Sequence, residues 1–383
     1  MTKDPAPTPL ESIIREAIAD SPRGSITLAA YMELALYHPT YGYYQREQVG
    51  PGRTGDFLTS PEASPYFGLT VARQLIEIWD RLGQPDVWEI REYGAGTGVL
   101  AYDIMAGISN DAPEAMNGLT YRLVESNAFR RAEAQAAMAE AGLAELVKIS
   151  DSTEPLPSFA GVMLGNEVAD AFPAHRLVVR NGELRECFVT VTEAGFGWTE
   201  GERSAEAASL PEIEAIAKRL PDGAIVEVSP AAADWFESAA ALLERGLALL
   251  IDYGYPAEKL YSEHRLEGTL RAYRGQQVSD DPFTNPGQVD LTTHVDFSAL
   301  ERAGARAGLE PAGFTNQGEF LSQLEMGMFL LDLQKDPEMT LEDYLSAKAA
   351  IFRLIEPGGL GRFGVLGMTR GIALDPPLTG FRR

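Results

Sequence analysis

Apolar side chains recur three and four positions apart in "LESIIREAIAD" (10–20) and "SITLAAYMELALYHP" (25–39), which predicts two helices, the second stopped at His38-Pro39. The period then disappears. Residues 41–62, "YGYYQREQVGPGRTGDFLTSPE", are aromatic first and glycine-rich afterwards. A loop of this length is either mobile or functional. Gly50, Gly52 and Gly55 read as hinges, and Thr59, Ser60 and Glu62 either close over a ligand or only lead into the next helix. Ser64 and Pro65 read as the cap and first-turn proline of a helix over "YFGLTVARQLIEIWDRLG", with Gly83 as its stop.

From residue 86 the pattern alternates. "DVWEIREY", "LTYRLVES", "ELVKIS" and "AGVMLGNE" are strand-like, and the helical runs "VLAYDIMAGI" and "AFRRAEAQAAMAEAG" lie between them. Such alternation predicts parallel strands joined by crossover helices. It breaks at a hairpin around Asn181-Gly182, followed by a helix and the strand "AIVEVS". The helix "AADWFESAAALLER", closed by Gly246, then leads into the strand "LALLIDYG". After a second irregular stretch come two helices, at roughly 318–334 and 340–355, and a last strand, "RFGVLGMTRG". The expected plan is a disordered lead (1–9), a helical cap with a flexible loop (10–84) and an α/β domain (85–383). Insertions at about 172–222 and 255–296 are expected to pack together over the strand ends.

Charge and cysteine content narrow the function. With 56 acidic against 32 basic residues the net charge is −24, which excludes a general nucleic-acid binder. Such acidity attracts a basic protein or merely keeps the chain soluble. Cys187 is the only cysteine, so a reducing compartment is expected. With no secretory or Arg-rich start in "MTKDPAPTPLESII", the expected location is the bacterial cytoplasm. His38, His175, His264 and His294 lack metal-ligand spacing, so no metal is expected. The apolar run "GLALLI" is too short to span a membrane.

The chemistry begins at "REYGAGTGVL" (91–100), where Glu92 ends a strand and Gly94, Gly96 and Gly98 follow before a helix. The third glycine comes one position too early for the dinucleotide fingerprint. No Gly-Lys-Ser/Thr ends the loop as a P-loop would require. A carboxylate at position 92 would oppose a pyrophosphate and suits a ligand with an ammonium and a sulfonium, S-adenosylmethionine (S-adenosylhomocysteine as product). Glu92 followed by G-x-G-x-G resembles motif I of class I methyltransferases. Glu125, ending the second strand, is placed to accept the ribose hydroxyls. Asp151 and Ser152 either flank the adenine or only turn the chain, and Asn166 is placed at the methionine end.

Together with "GDFLTSPEASPYFG" (55–68), "GNEVADAFP" (165–173), "LLIDYGY" (249–255) and the long stretch 268–300, motif I makes the chain similar to the MidA-type methyltransferases over about residues 10–372. The resemblance implies a Rossmann-like class I methyltransferase fold, a seven-stranded and mostly parallel sheet. It also implies symmetric dimethylation of an arginine on a protein client, a subunit of respiratory complex I in that family. Val168 and Ala169 depart from the aromatics usual there, which leaves a small-molecule acceptor open. A non-catalytic assembly chaperone and a homodimer are also left open. Carboxylates that hold a guanidinium orient it and localise its charge, freeing the near nitrogen to attack. Glu167 and Asp170, at i, i+3 spacing on an expected helical turn, are assigned that task. Asp252 and Tyr253 point to the same crevice, and His294 is the candidate to take a proton near neutrality.

Overall fold

The computed structural model describes residues 8–47, 59–208, 212–275 and 277–382. Gly50, Gly52, Gly55 and all of the lead before Thr8 lie outside the described residues. The main sheet has seven strands: β1 (Trp88–Tyr93), β2 (Leu119–Glu125), β3 (Val147–Asp151), β4 (Phe159–Asn166), β5 (Leu243–Asp252), β6 (Glu310–Asn316) and β7 (Gly364–Arg370). Their spatial order is β6-β7-β5-β4-β1-β2-β3. Only β7 runs against the others. This is an α/β sheet of the Rossmann-like methyltransferase class, and its order reverses between β1 and β4. Ligands of such sheets bind beyond the carboxyl ends of the strands at that reversal.

The period-two rule explains the two-sided core. Val162, Leu164, Leu247, Leu249 and Ile251 bury against the helices Tyr66–Arg81 and Val99–Asp111. The intervening Met163, Ala248 and Leu250 bury against Pro230–Ala241 and Phe297–Arg306. Both faces of β4 and β5 are therefore apolar, which is why these strands read as unbroken hydrophobic runs.

Several expected elements are corrected. Gly246 does not stop a helix: that helix ends at Ala241, and Gly246 lies inside β5 with φ +141°. A Cβ there would stand 1.8 Å from the Gly161 carbonyl oxygen, and one at Gly161 would stand 2.0 Å from that of Glu89. Three strands are drawn together by these two residues. Gly246→Ala is expected to lower stability by about 3 kcal/mol or to prevent folding, measured by denaturant unfolding. An unchanged midpoint would show that the strands can part at no cost.

Ser25–Thr27 is a strand rather than a helix start, and Thr27 caps the helix Leu28–Tyr37 instead. The expected helix at 318–334 is broken into Gln317–Gln323 and Met328–Leu333, and β6 had no counterpart in the sequence reading. The strand Ile225–Val228 joins a separate antiparallel sheet with Ser25–Thr27, His175–Arg180, Glu183–Thr192 and Gly195–Gly201. Its hairpin turns at Asn181-Gly182, both at positive φ. A shared apolar cluster joins the helices Pro9–Asp20 and Leu28–Tyr37 to this sheet and to Leu270, Ala272, Val289 and Leu291. Among the described residues no helix is long and apolar enough to cross a membrane.

Candidate functional site

The carboxyl ends of β1, β2, β4 and β5 bring Glu92, Glu125, Asn166–Glu167 and Asp252 to one edge. After Glu92 the chain turns through Gly94, Gly96 and Gly98, all with φ between +56° and +82°. A Cβ at Gly94 would lie 2.9 Å from Val168 Cγ2, so the loop passes close under the segment that follows β4. Gly96 N–H donates to Glu125 Oε2 at 2.8 Å, and Asn127 N–H donates to Glu125 Oε1 at 2.8 Å. Asn127 was missed in the sequence. It caps the helix Ala128–Glu140 and donates to the Tyr44 and Arg46 carbonyls, tying the aromatic loop to the end of β2.

Glu92 is buried, and Tyr121 donates to it at 2.7 Å. Burial raises its carboxyl to about 8, against the Tyr121 hydrogen bond and with help from the Glu125 charge. Asn166 Oδ1 is buried with no hydrogen-bond partner. A glycine cradle, a buried acid and an orphaned acceptor together leave polar capacity facing the crevice.

Asp151 is spoken for. It accepts from Thr153 N–H and Oγ1–H at 2.9 and 2.7 Å and pairs with Arg131 at 2.7 Å, contacts that hold its carboxyl below the usual range. The structure uses Asp151 as a turn residue, and Ser152 is exposed beside it.

Beyond β4 there is no helix: residues 167–172 form bends and one turn, and Glu167 sits at φ +52°. Asp252 fixes this segment. Its Oδ2 accepts from Val168 and Ala169 N–H at 3.0 and 2.7 Å, and its Oδ1 from Tyr253 N–H at 2.7 Å. A side chain that holds three amides positions the loop, and most of its acceptor capacity is used there. Glu167 Oε1 accepts from Ser60 N–H at 3.0 Å and Asn166 Nδ2 at 3.2 Å, so Thr59-Ser60 does meet the acidic segment. Ser60 Oγ also donates to Gln317.

Burial, then the Asp252 and Glu62 charges, lifts Glu167 to about 8. Burial, then Asp252, Asp290 and Glu167, lifts Asp170 well above the carboxylate range. Asp290 was missed; it accepts from Tyr44 O–H at 2.7 Å. The native protein thus keeps protons on Glu92 and Glu167 between about pH 4.5 and 8 that the unfolded chain has released. Stability of the ligand-free chain should fall as pH rises through that window. Thermal melts that rise instead would show these acids to be ionised.

His294 does not titrate near neutrality. Burial and the charges of Arg265, Arg271 and Arg362 pull it to about 3, and its Nδ1 has no partner. It packs edge-on to Tyr253 with ring centroids 4.2 Å apart. A cavity of about 170 Å³ opens behind Ala169, lined by Val228, Ala232, Tyr261, His294 and Leu300 among others. Among the described residues no group of three His, Cys, Asp or Glu is arranged to hold a metal.

Comparison with known proteins gives this edge its context. A protein arginine methyltransferase NDUFAF7 homolog of Drosophila melanogaster is 29% identical over 94% of this chain and 85% of its own length. The NDUFAF7 protein of Homo sapiens is 27% identical over 88% and 79%. Both are named as mitochondrial, which overturns the bacterial cytoplasmic location expected from the cysteine content and the N-terminus. A crystal structure from Burkholderia thailandensis, bound to S-adenosyl-homocysteine, is 31% identical with a TM-score of 0.82, covering 99% of this chain and 98% of that one. The family model describing S-adenosyl-L-methionine-dependent methyltransferases matches residues 70–315, and the chain belongs to that family.

Proposed function

We propose that the chain transfers methyl groups to the guanidinium of an arginine on a protein client, with Glu167 and Asp170 holding the guanidinium. One observation carries this reading: two carboxyls lie together at the switch-point edge, kept protonated first by burial and then by neighbouring carboxyls, a setting that a cation would relieve. The names of the NDUFAF7 relatives support arginine as the acceptor.

The residues at the crevice suit S-adenosylmethionine, which when bound supplies a methyl on a positively charged sulfur. Gly94, Gly96 and Gly98 let it approach the backbone, and Glu92, which holds a proton in the ligand-free protein up to about pH 8, would ionise against its cationic end. Glu125 would take the ribose hydroxyls and Asn166 Oδ1 the methionine end, with Thr59 and Ser60 above. Asp151 and Ser152 are left out. Glu167 and Asp170 then orient one guanidinium nitrogen for in-line attack, where alignment supplies most of the rate. Asp252 keeps their segment in place. The proton lost by that nitrogen passes to Glu167, ionised by the bound guanidinium, rather than to His294, which burial and three arginines hold near 3 and so leave a poor base.

The client and the modified residue are tested by incubating the chain with labelled cofactor and a cell lysate. The expected result is label in one protein band, recovered as symmetric dimethylarginine after hydrolysis. Label confined to small molecules would overturn the reading and favour the second one, a small acceptor seated in the cavity behind Ala169.

A pH dependence follows. A guanidinium pairs only with ionised Glu167 and Asp170, so its binding expels protons, and acceptor affinity should rise from about pH 6 to above 8. Calorimetry in buffers of different ionisation enthalpy reads the released protons directly. No release would mean that the two acids are already charged or do not meet the acceptor.

A further inference from the structure

Several arginines of this acidic chain are paired with carboxylates: Arg81 with Glu77, Arg122 with Glu89, Arg131 with Asp151, Arg306 with Glu237. Arg362 and Arg265 are not. Arg362 lies with its guanidinium carbon 4.5 Å from the centre of the Tyr253 ring, and Arg265 lies 4.1 Å over Tyr255. Arg265 also donates to the Lys259 carbonyl at 2.7 Å, and neither has a carboxylate partner among the described residues. Stacking uses the face of a guanidinium and leaves its N–H edge for a planar acceptor.

Their position ties them to the acidic segment. Tyr253 follows Asp252, whose carboxylate clamps Val168 and Ala169. The His294 ring lies beside both tyrosines, 4.2 Å from Tyr253 and 5.9 Å from Tyr255. The preceding Thr293 N–H donates to the Asp170 carbonyl at 2.9 Å. Arg271 completes the group. In the strand Arg271–Arg274, Arg271 opposes Thr292 and Tyr273 opposes Asp290, which puts all four on one face of that small sheet. Its ion pair is with Asp280 at 3.3 Å, an exposed acid of little hold. Guanidinium groups thus border the acidic segment around Tyr253 and His294, with Arg271 on the same face of the small sheet as Asp290.

We infer that Arg362 and Arg265, with Arg271 beside them, bind a carboxylate that the acceptor carries next to its guanidinium. The inference rests on the arginine reading above and narrows its substrate class. In a protein the carboxylate is an acidic side chain flanking the target arginine. In a small molecule it is the acid group of a free guanidino acid. A bidentate fork onto a carboxylate gives direction as well as attraction, so it would select one orientation of the acceptor.

Methyl transfer by the full chain is compared on an arginine peptide flanked by aspartate, the same peptide flanked by asparagine, and a free guanidino acid. The expected kcat/KM is about tenfold or more higher for the aspartate peptide. In Arg362→Ala and Arg265→Ala that ratio falls towards one, carried by KM. In Arg362→Glu the preference turns to a lysine-flanked peptide, which a merely structural role would not produce. Equal rates on the aspartate and asparagine peptides overturn the inference, as does a loss that strikes both alike. Transfer to the guanidino acid alone, with the same dependence on Arg362, keeps the carboxylate site and assigns it to a small molecule. Transfer to none of the three while the cofactor still binds rejects the arginine reading and this inference together.

Discussion

Glu167→Gln is expected to lower kcat about a thousandfold while the affinity for S-adenosylmethionine stays within a few-fold. The substitution is mild for the fold. Glu167 Oε1 accepts from Ser60 N–H and Asn166 Nδ2, and an amide oxygen accepts from both equally well. The left-handed backbone at this residue, φ +52°, is no harder for glutamine than for glutamate. What disappears is the charge that pairs with a guanidinium and the group that takes its proton. The neighbouring Asp170 does not stand in, because burial first, then Asp252 and Asp290, still oppose its ionisation once the Glu167 charge is gone. Single-turnover rates and cofactor calorimetry on the same preparation separate the two quantities. A variant that keeps its turnover would show that the acceptor lies elsewhere. One that loses the cofactor would move Glu167 from the acceptor to the donor.

Much of the sheet was legible because both faces of its central strands are covered, so that β4 and β5 appear as continuous apolar runs. The glycines after Glu92 were legible for a related reason: three left-handed positions in five residues leave little choice of side chain. What failed is instructive. Gly246 looks like a helix stop because it follows a helical run, yet its φ answers to the Gly161 carbonyl on the adjacent strand, a contact 85 residues away in sequence. The i, i+3 spacing of Glu167 and Asp170 suggested a helical turn, but Asp252 holds the amides of Val168 and Ala169 and the segment bends and turns without forming a helix. His294 has the residue type of a proton carrier, but burial and three arginines decide its chemistry. Asp290 carries no local signal, and Asn127 reads locally only as a helix cap. They matter through Tyr44, which donates to one and is held by the other across more than 80 residues of sequence.

Glu125→Ala should do the opposite of Glu167→Gln, weakening cofactor affinity about a hundredfold or more while the acidic segment beyond β4 stays intact. Two effects add. The carboxylate is lost as an acceptor for the ribose hydroxyls, and the amides of Gly96 and Asn127 lose their charged partner, a bond worth about 1.5–3 kcal/mol each to a charged group. Gly96 belongs to the cradle, so the loop that receives the cofactor also loosens. Asn127 remains the cap of its helix through Oδ1, which accepts from Phe129 and Arg130 N–H, so the fold should survive. The separation is made with Glu125→Gln. It preserves shape and can still accept from one amide, but it must turn an N–H₂ towards the other or towards the ribose. Its affinity should fall between the native chain and Glu125→Ala. At saturating cofactor both variants should recover turnover to within about tenfold, because the acceptor carboxyls are untouched. If Glu125→Ala binds the cofactor as tightly as the native chain, the end of β2 does not hold a ribose, and the crevice would have to be reassigned to a different nucleotide or to none.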